Sequence, residues 1–139
     1  MDMLRLAAPG FCVIQPAIDG AHEHWVASLS GSGHRIEQWA CDLASGIFSI
    51  GPAAALAHGI SGASCGILDL LRAYHHEHRT LILSVLENAT TAPISFCFCA
   101  TPVSAGGQAT RLFCIGASGT GKGASGGTER LGGIFALQA

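Results

Sequence analysis

Charge is what this chain has least of. Only 12% of its 139 residues are Asp, Glu, Lys or Arg, about half the share found in an average soluble domain. The formal net charge is −2, so no cationic footprint invites a nucleic-acid backbone. Long apolar runs are also missing. The uncharged stretches 43–68 and 88–110 are broken by Gly, Ser, Pro, Asn or Thr every few residues, whereas a spanning helix needs about 20 predominantly apolar residues. The N-terminus has no basic region leading into an unbroken apolar core; no secretory signal is expected, and the chain reads as cytoplasmic.

Apolar residues and glycine are plentiful. Hydrophobic residues make up 49% of the chain, with 19 glycines. That is enough to build one core, which excludes a disordered tail. Six cysteines, Cys12, Cys41, Cys65, Cys97, Cys99 and Cys114, read as free thiols filling a core rather than as a disulfide framework.

Residues 1–33 are uneven, with Pro9-Gly10, Pro16 and a Ser/Gly-rich exit, and read as a flanking or cap segment that packs on the core. From 34 to 139 the pattern sharpens into a domain. His34 to Leu43 and Gly46 to Ile50 form a predicted hairpin. Pro52 opens a short alanine-rich helix ended by Gly59. Ile67 to Tyr74 reads as a short helix. Glu77 to Asn88 reads as the longest one, with Leu81, Ile82, Val85 and Leu86 at helical spacing. Ala92-Pro93 breaks it, and strands follow over Ile94 to Val103, Thr110 to Ile115 and Leu131 to Leu137. The order predicts an α+β domain: a five-stranded antiparallel sheet with short helices and one longer helix on one face.

Both faces of Ser95-Phe96-Cys97-Phe98-Cys99-Ala100 and of Leu112-Phe113-Cys114-Ile115 are apolar, whereas a one-layer antiparallel sheet leaves one face wet. Helices cover one face; the N-terminal segment, a second subunit, or both must cover the other. A homodimer through the sheet face and the N-terminal segment is therefore expected.

This element order, with these residues, resembles the PAS sensory domain over roughly Gly33 to Leu137. Trp39-Ala-Cys-Asp42-Leu43-Ala-Ser-Gly46 is similar to that family's "W-x-x-D-L-x-x-G" hairpin. Gly51 to Ile60 is similar to its first helix and glycine exit. Leu68 to Arg79 is similar to its "hPxDr" junction, with His76 in the proline place and His78 in the aspartate place. The resemblance implies a PAS-like fold and a signal-sensing and dimerisation module without catalysis. Such a module regulates a linked or partner output domain (a kinase, cyclic-dinucleotide enzyme or transcription factor) through a small ligand or protein contact. A ligand would sit between sheet and helices, against Leu56, Leu71, Leu83, Leu86, Phe96, Phe98, Leu112 and Cys114; which strand face looks inward is open at this level.

Several motifs compete with that reading. Gly116-Ala-Ser-Gly-Thr-Gly121-Lys122 follows a strand and matches most of a phosphate-cradling loop, so a small nucleotide-binding protein is the alternative. Yet Gly123 stands where Ser or Thr should hold magnesium, and the next residues are hostile to a helix. Gly62-Ala-Ser-Cys65-Gly-Ile-Leu68-Asp69 resembles the flavin motif of light-sensing PAS domains, and Gln138 falls near that branch's flavin-facing glutamine. Ser64, Gly66 and Asp69 depart from it, so no flavin is expected. Haem is not expected either, because Thr80 to Asn88 contains no histidine; His58 and His75, His76 and His78 are the fallback ligands. Cys97 and Cys99, with Cys114 on the adjacent strand, put three thiols on one face if the register allows, a packing role above all. His22 and His24 have nothing to complete a metal site. The acids, Asp19, Glu37, Asp42, Asp69, Glu77, Glu87 and Glu129 among them, pair into no acid/base couple, so no catalytic residue is assigned. A purely structural dimeriser whose core is filled remains the third reading.

Overall fold

The structure, a computed structural model, describes residues 7–16, 21–118 and 130–138. In chain order the elements are β1 (Cys12–Pro16), α1 (Ala21–Ser30), β2 (Arg35–Asp42), β3 (Ile47–Ser49), α2 (Pro52–Ala57), β4 (Ser64–Gly66), α3 (Ile67–Leu71), α4 (His76–Thr91), β5 (Ile94–Ala100), β6 (Leu112–Ser118) and β7 (Arg130–Leu137). The strands form one antiparallel sheet in the order β1-β5-β6-β7-β2-β3-β4. It has seven strands rather than five. The two additions are the edge strands β1 and β4. Each is too short to show alternation, and each is recruited by the free edge of a neighbour.

Local chemistry explains the boundaries. In the β2–β3 hairpin the Asp42 carboxylate accepts from Ala44 N at 2.9 Å, and Gly46 takes the left-handed φ of +72° that closes the turn. Helix α2 starts at Pro52, whose missing N–H costs nothing at the first helical position. Its next two amides, Ala53 N and Ala54 N, donate to the two carboxylate oxygens of Glu37 at 3.1 and 2.7 Å. Helix α3 ends sooner than expected, at Leu71, and the Arg79 guanidinium takes carbonyls at and after that end: Nε donates to Leu71 O at 3.1 Å and Tyr74 O at 2.8 Å. Helix α4 begins at His76 and runs to Thr91, longer than the apolar periodicity suggested, because its last turn is tied to the sheet. There Ser118 Oγ donates toward Ala89 O and Ala92 O at 2.7 and 2.9 Å and accepts from Ile94 N at 3.2 Å.

Register decides which side of each strand looks where. Phe98 pairs with Cys114, Cys114 with Phe135, and Phe135 with Glu37. The inner face therefore carries Phe96, Phe98, Leu112, Cys114 and Phe135, packed with Ile82, Val85 and Ala89 of α4. The outer face carries Cys97, Cys99, Phe113, Ile115 and Ala136. Cys114 is thus on the face opposite Cys97 and Cys99, and the three thiols do not converge.

The outer face is already closed within the single chain. Leu29 of α1 is fully buried on it, with Trp25 and Val26 of the same helix and Ala7 and Phe11 of the preceding segment. Positions 25, 26 and 29 share one helical face, which a stretch read only as an irregular flank concealed. The N-terminal segment thus adds both a strand to the sheet and the layer over its second face. Cys97, Cys99 and Ile115 are 0% exposed without any second subunit, so the sheet surface itself is not available to a dimer partner. The remaining exposed positions of α1 include Glu23, His24 and Ser30.

Candidate functional site: an apolar cavity between sheet and helices

A small cavity lies between the inner face and the helices α3 and α4. Its floor is the register row Phe98, Cys114 and Phe135, flanked by Trp39 and Phe48. Leu70, Tyr74, Ile82 and Leu86 close it from the helical side. Its free volume is about 20 Å³, room for about one water. Ligand pockets usually measure roughly 300–1,000 Å³, so side chains must withdraw for a molecule of ordinary size to enter. Leu86, half-buried where its neighbours on the wall are buried, is placed to do so.

Trp39 occupies the room of one missing side chain, that of Gly116. Gly116 and Gly133 are register partners on β6 and β7, and Trp39 is opposite Gly133 on β2. A Cβ on Gly116 would lie 2.6 Å from Trp39 Cζ2 and 2.5 Å from Phe96 Cζ. The indole therefore passes over Gly116 to reach Phe96, with ring centroids 6.2 Å apart; Phe48 and Phe135 contact it at 5.9 and 6.0 Å. Its Nε1–H is buried with no acceptor in hydrogen-bonding geometry. The Cys114 sulfur is near enough for the indole N–H to favour its thiolate slightly, but burial dominates and pushes that thiol well above its ordinary value. An unmet buried donor of this kind costs about 1–3 kcal/mol.

Beside the cavity stands a buried polar couple that no sequence motif announced. His58 Nδ1 lies 2.6 Å from Ala54 O and Nε2 lies 2.5 Å from the Tyr74 hydroxyl. A carbonyl only accepts, so Nδ1 carries the proton, Nε2 is the acceptor, and the Tyr74 O–H donates to it. Burial holds the imidazole below its usual value, against the opposing pull of the Ala54 carbonyl, and lifts the phenol well above its own. The couple is neutral. With both nitrogens committed, His58 is not free to ligate a metal.

Of the residues expected at the pocket, Leu86, Phe98 and Cys114 line the cavity. Phe96 sits under Trp39, while Leu71 and Leu112 are core residues behind the wall. Leu56 and Leu83 stand outside it, 74% and 49% exposed. The reason is helical phase. Helix α2 buries its small residues Ala54, Ala55 and Ala57, which turns Leu56 outward; α4 buries Ile82, Val85 and Ala89, which leaves Leu83 off the inward stripe. Trp39, Phe48, Leu70, Tyr74, Ile82 and Phe135 were not expected there. Trp39 and Tyr74 were legible as motif residues, but their convergence depends on register.

The other candidate motifs lie elsewhere. Cys65 on β4 pairs with Phe48 without lining the cavity, and Gln138 is exposed. Gly116 to Ser118, the start of the phosphate-loop match, belong to β6, with Gly116 used for packing; Lys122 and its neighbours lie outside the described residues. So do Asp19, Glu129 and the His22 side chain. Among the described residues no group of three His, Cys, Asp or Glu is arranged to hold a metal. Nor is any described helix long and apolar enough to cross a membrane.

No protein-family profile matches the chain, and no curated protein does. Solved structures do. The N-terminal domain of a diguanylate cyclase with PAS/PAC sensor from Marinobacter aquaeolei aligns with a TM-score of 0.61 at 14% identity, over 73% of this chain and 93% of that one. A sensory box histidine kinase/response regulator from Burkholderia thailandensis aligns at 0.58 and 14%, over 80% and 82%. A domain of a histidine kinase assigned to light and redox sensing, from Haloarcula marismortui, aligns at 0.55 and 16%, over 84% and 99%. At such identities the likeness is one of fold. With the hairpin, the helical cover and the sheet order described above, it makes this chain a PAS-like α+β domain.

Proposed function

We propose that this chain is a sensory module. In this reading it takes a small molecule into the cavity under α3 and α4, and by doing so regulates a linked or partner output domain of the kinase, cyclase or transcription-factor kind. It has no catalytic role of its own. The observation that carries the reading is the cavity itself: an aromatic-walled space at the sheet–helix interface, too small as it stands, closed on one side by the half-buried Leu86. Its fold is shared with the sensor parts of cyclase and kinase signalling proteins. Entry of a ligand would shift the population toward a state in which α4 stands further from the sheet. Because Ser118 ties the end of α4 to β5 and β6, that shift reaches the strands on which α1 packs. Self-association belongs to this reading only through the N-terminal segment, since the sheet face beneath is buried.

Native mass spectrometry of freshly purified protein, with its absorption spectrum, tests the proposal. One small molecule retained per chain, or a compound from a screen that raises the melting temperature and shifts the amide signals of Ile82 and Leu86, supports it. Protein that retains nothing, and that no screened compound stabilises, refutes it and leaves a filled structural domain.

A further inference from the structure

Three buried side-chain atoms among the described residues have no hydrogen-bond partner: His34 Nδ1, Trp39 Nε1 and His78 Nδ1. Of these three residues only Trp39 belongs to the cavity wall. We infer that Trp39 Nε1–H is the recognition donor of this cavity, and that its ligand is a small, uncharged, largely apolar molecule, aromatic in shape, carrying one hydrogen-bond acceptor such as a carbonyl oxygen. The inference rests on the sensory reading above and names the ligand class that reading leaves open.

The donor count carries the argument. The Tyr74 proton is committed to His58 Nε2, and the His58 Nδ1 proton to Ala54 O. Cys114 is held as a thiol by burial, a weak donor at best. That leaves Trp39 as the one strong donor of the wall, with nothing near it but the Cys114 sulfur, a weak acceptor outside hydrogen-bonding geometry. The rest of the wall is aliphatic or aromatic and offers a charged group no partner, so an ion would enter at the full cost of its desolvation. The indole is also packed on several sides, by Gly116 beneath its edge and by the rings of Phe48, Phe96 and Phe135. A donor held by packing selects for acceptor position as well as acceptor presence.

Acetophenone and α-methylstyrene differ only by a carbonyl oxygen in place of a methylene and serve as probes. Each is titrated into the ¹⁵N-labelled protein while the indole N–H signals are followed, with Trp25 as internal reference. Acetophenone is expected to move the Trp39 N–H signal downfield, and α-methylstyrene is not. The ratio of the two affinities is expected to fall about tenfold in Trp39→Phe, which keeps a ring and removes the donor. If that variant does not fold, the wild-type downfield shift decides. Binding of both probes without that shift, or with an unchanged ratio in Trp39→Phe, overturns this inference and leaves the sensory reading standing. Binding of neither at millimolar concentration overturns this inference too, while the sensory reading falls only if the wider screen and the mass spectra also find no ligand.

Discussion

Gly116→Ala is the sharpest test of how the cavity is built. The new Cβ would fall 2.5 Å from Phe96 Cζ and 2.6 Å from Trp39 Cζ2, where carbon atoms in contact settle at about 3.5–4.0 Å. Each ring must therefore retreat by roughly 1 Å into a packed interior, and overpacking of this kind costs about 1–3 kcal/mol. For a domain of this length that is a fall in Tm on the order of 5 °C. The control lies on the neighbouring strand. A Cβ on Gly132 meets only Trp39 O, at 3.6 Å, an ordinary contact, so Gly132→Ala is expected to be neutral or slightly stabilising. Gly133→Ala marks the other extreme: its Cβ would lie 1.8 Å from the Ile115 carbonyl oxygen, a backbone atom with no rotamer to escape into, and little folded protein is expected. Trimming the obstructing ring in Gly116→Ala/Phe96→Leu should return part of the loss, giving a favourable coupling in the double-mutant cycle. Thermal melts of these variants, together with Phe96→Leu alone to complete the cycle, are the assay. Equal stability of Gly116→Ala and Gly132→Ala would refute the packing argument, and with it the account of how Trp39 is held.

Three further outcomes follow from the same geometry. Because folding holds His58 below its unfolded value, the unfolded chain binds a proton that the folded chain refuses. Stability is therefore present above about pH 6.5 and lost as pH falls from there toward the folded value, with a slope of up to about 1.4 kcal/mol per pH unit; urea titrations from pH 8 to pH 5 should show it, and His58→Gln should flatten it. Tyr74→Phe removes the donor to His58 Nε2 and leaves that nitrogen buried and unpaired, a loss of about 1–3 kcal/mol in denaturant titration at pH 8. Finally, Leu29→Ala opens a gap in the layer over Cys97, Phe113 and Ile115; a loss of about 2–4 kcal/mol is expected, with ANS fluorescence rising as the sheet face becomes accessible, and an unchanged protein would show that α1 is not its cover.

The class of this fold and most of its element order are legible along the chain. The Asp42–Gly46 turn, Pro52 and Ala92-Pro93 are local signals whose physics acts within a few residues, and each marks a boundary to within one or two positions; the Ile82–Val85 stripe marks a helix, but the end read from it, Asn88, falls three residues short of Thr91. The continuous apolar runs of β5 and β6 also foretold that both sheet faces are covered. What covers the second face was not legible, because Trp25, Val26 and Leu29 become a stripe only once residues 21–30 are helical. The cavity was legible still less. Phe98, Cys114 and Phe135 meet through a register that a one-residue slip would invert, which is why Cys114 parts from Cys97 and Cys99. Leu56 and Leu83 were drawn in as large apolar residues on helices, whereas close packing of alanines on α2 and the phase of α4 turned them out. His58 and Tyr74 are 16 positions apart, and Trp39 and Gly116 are further apart still; only tertiary contact makes the first pair a neutral buried couple and gives the indole the room that Gly116 leaves. Local propensity is written along the chain, but the direction of a side chain is set by what packs against it.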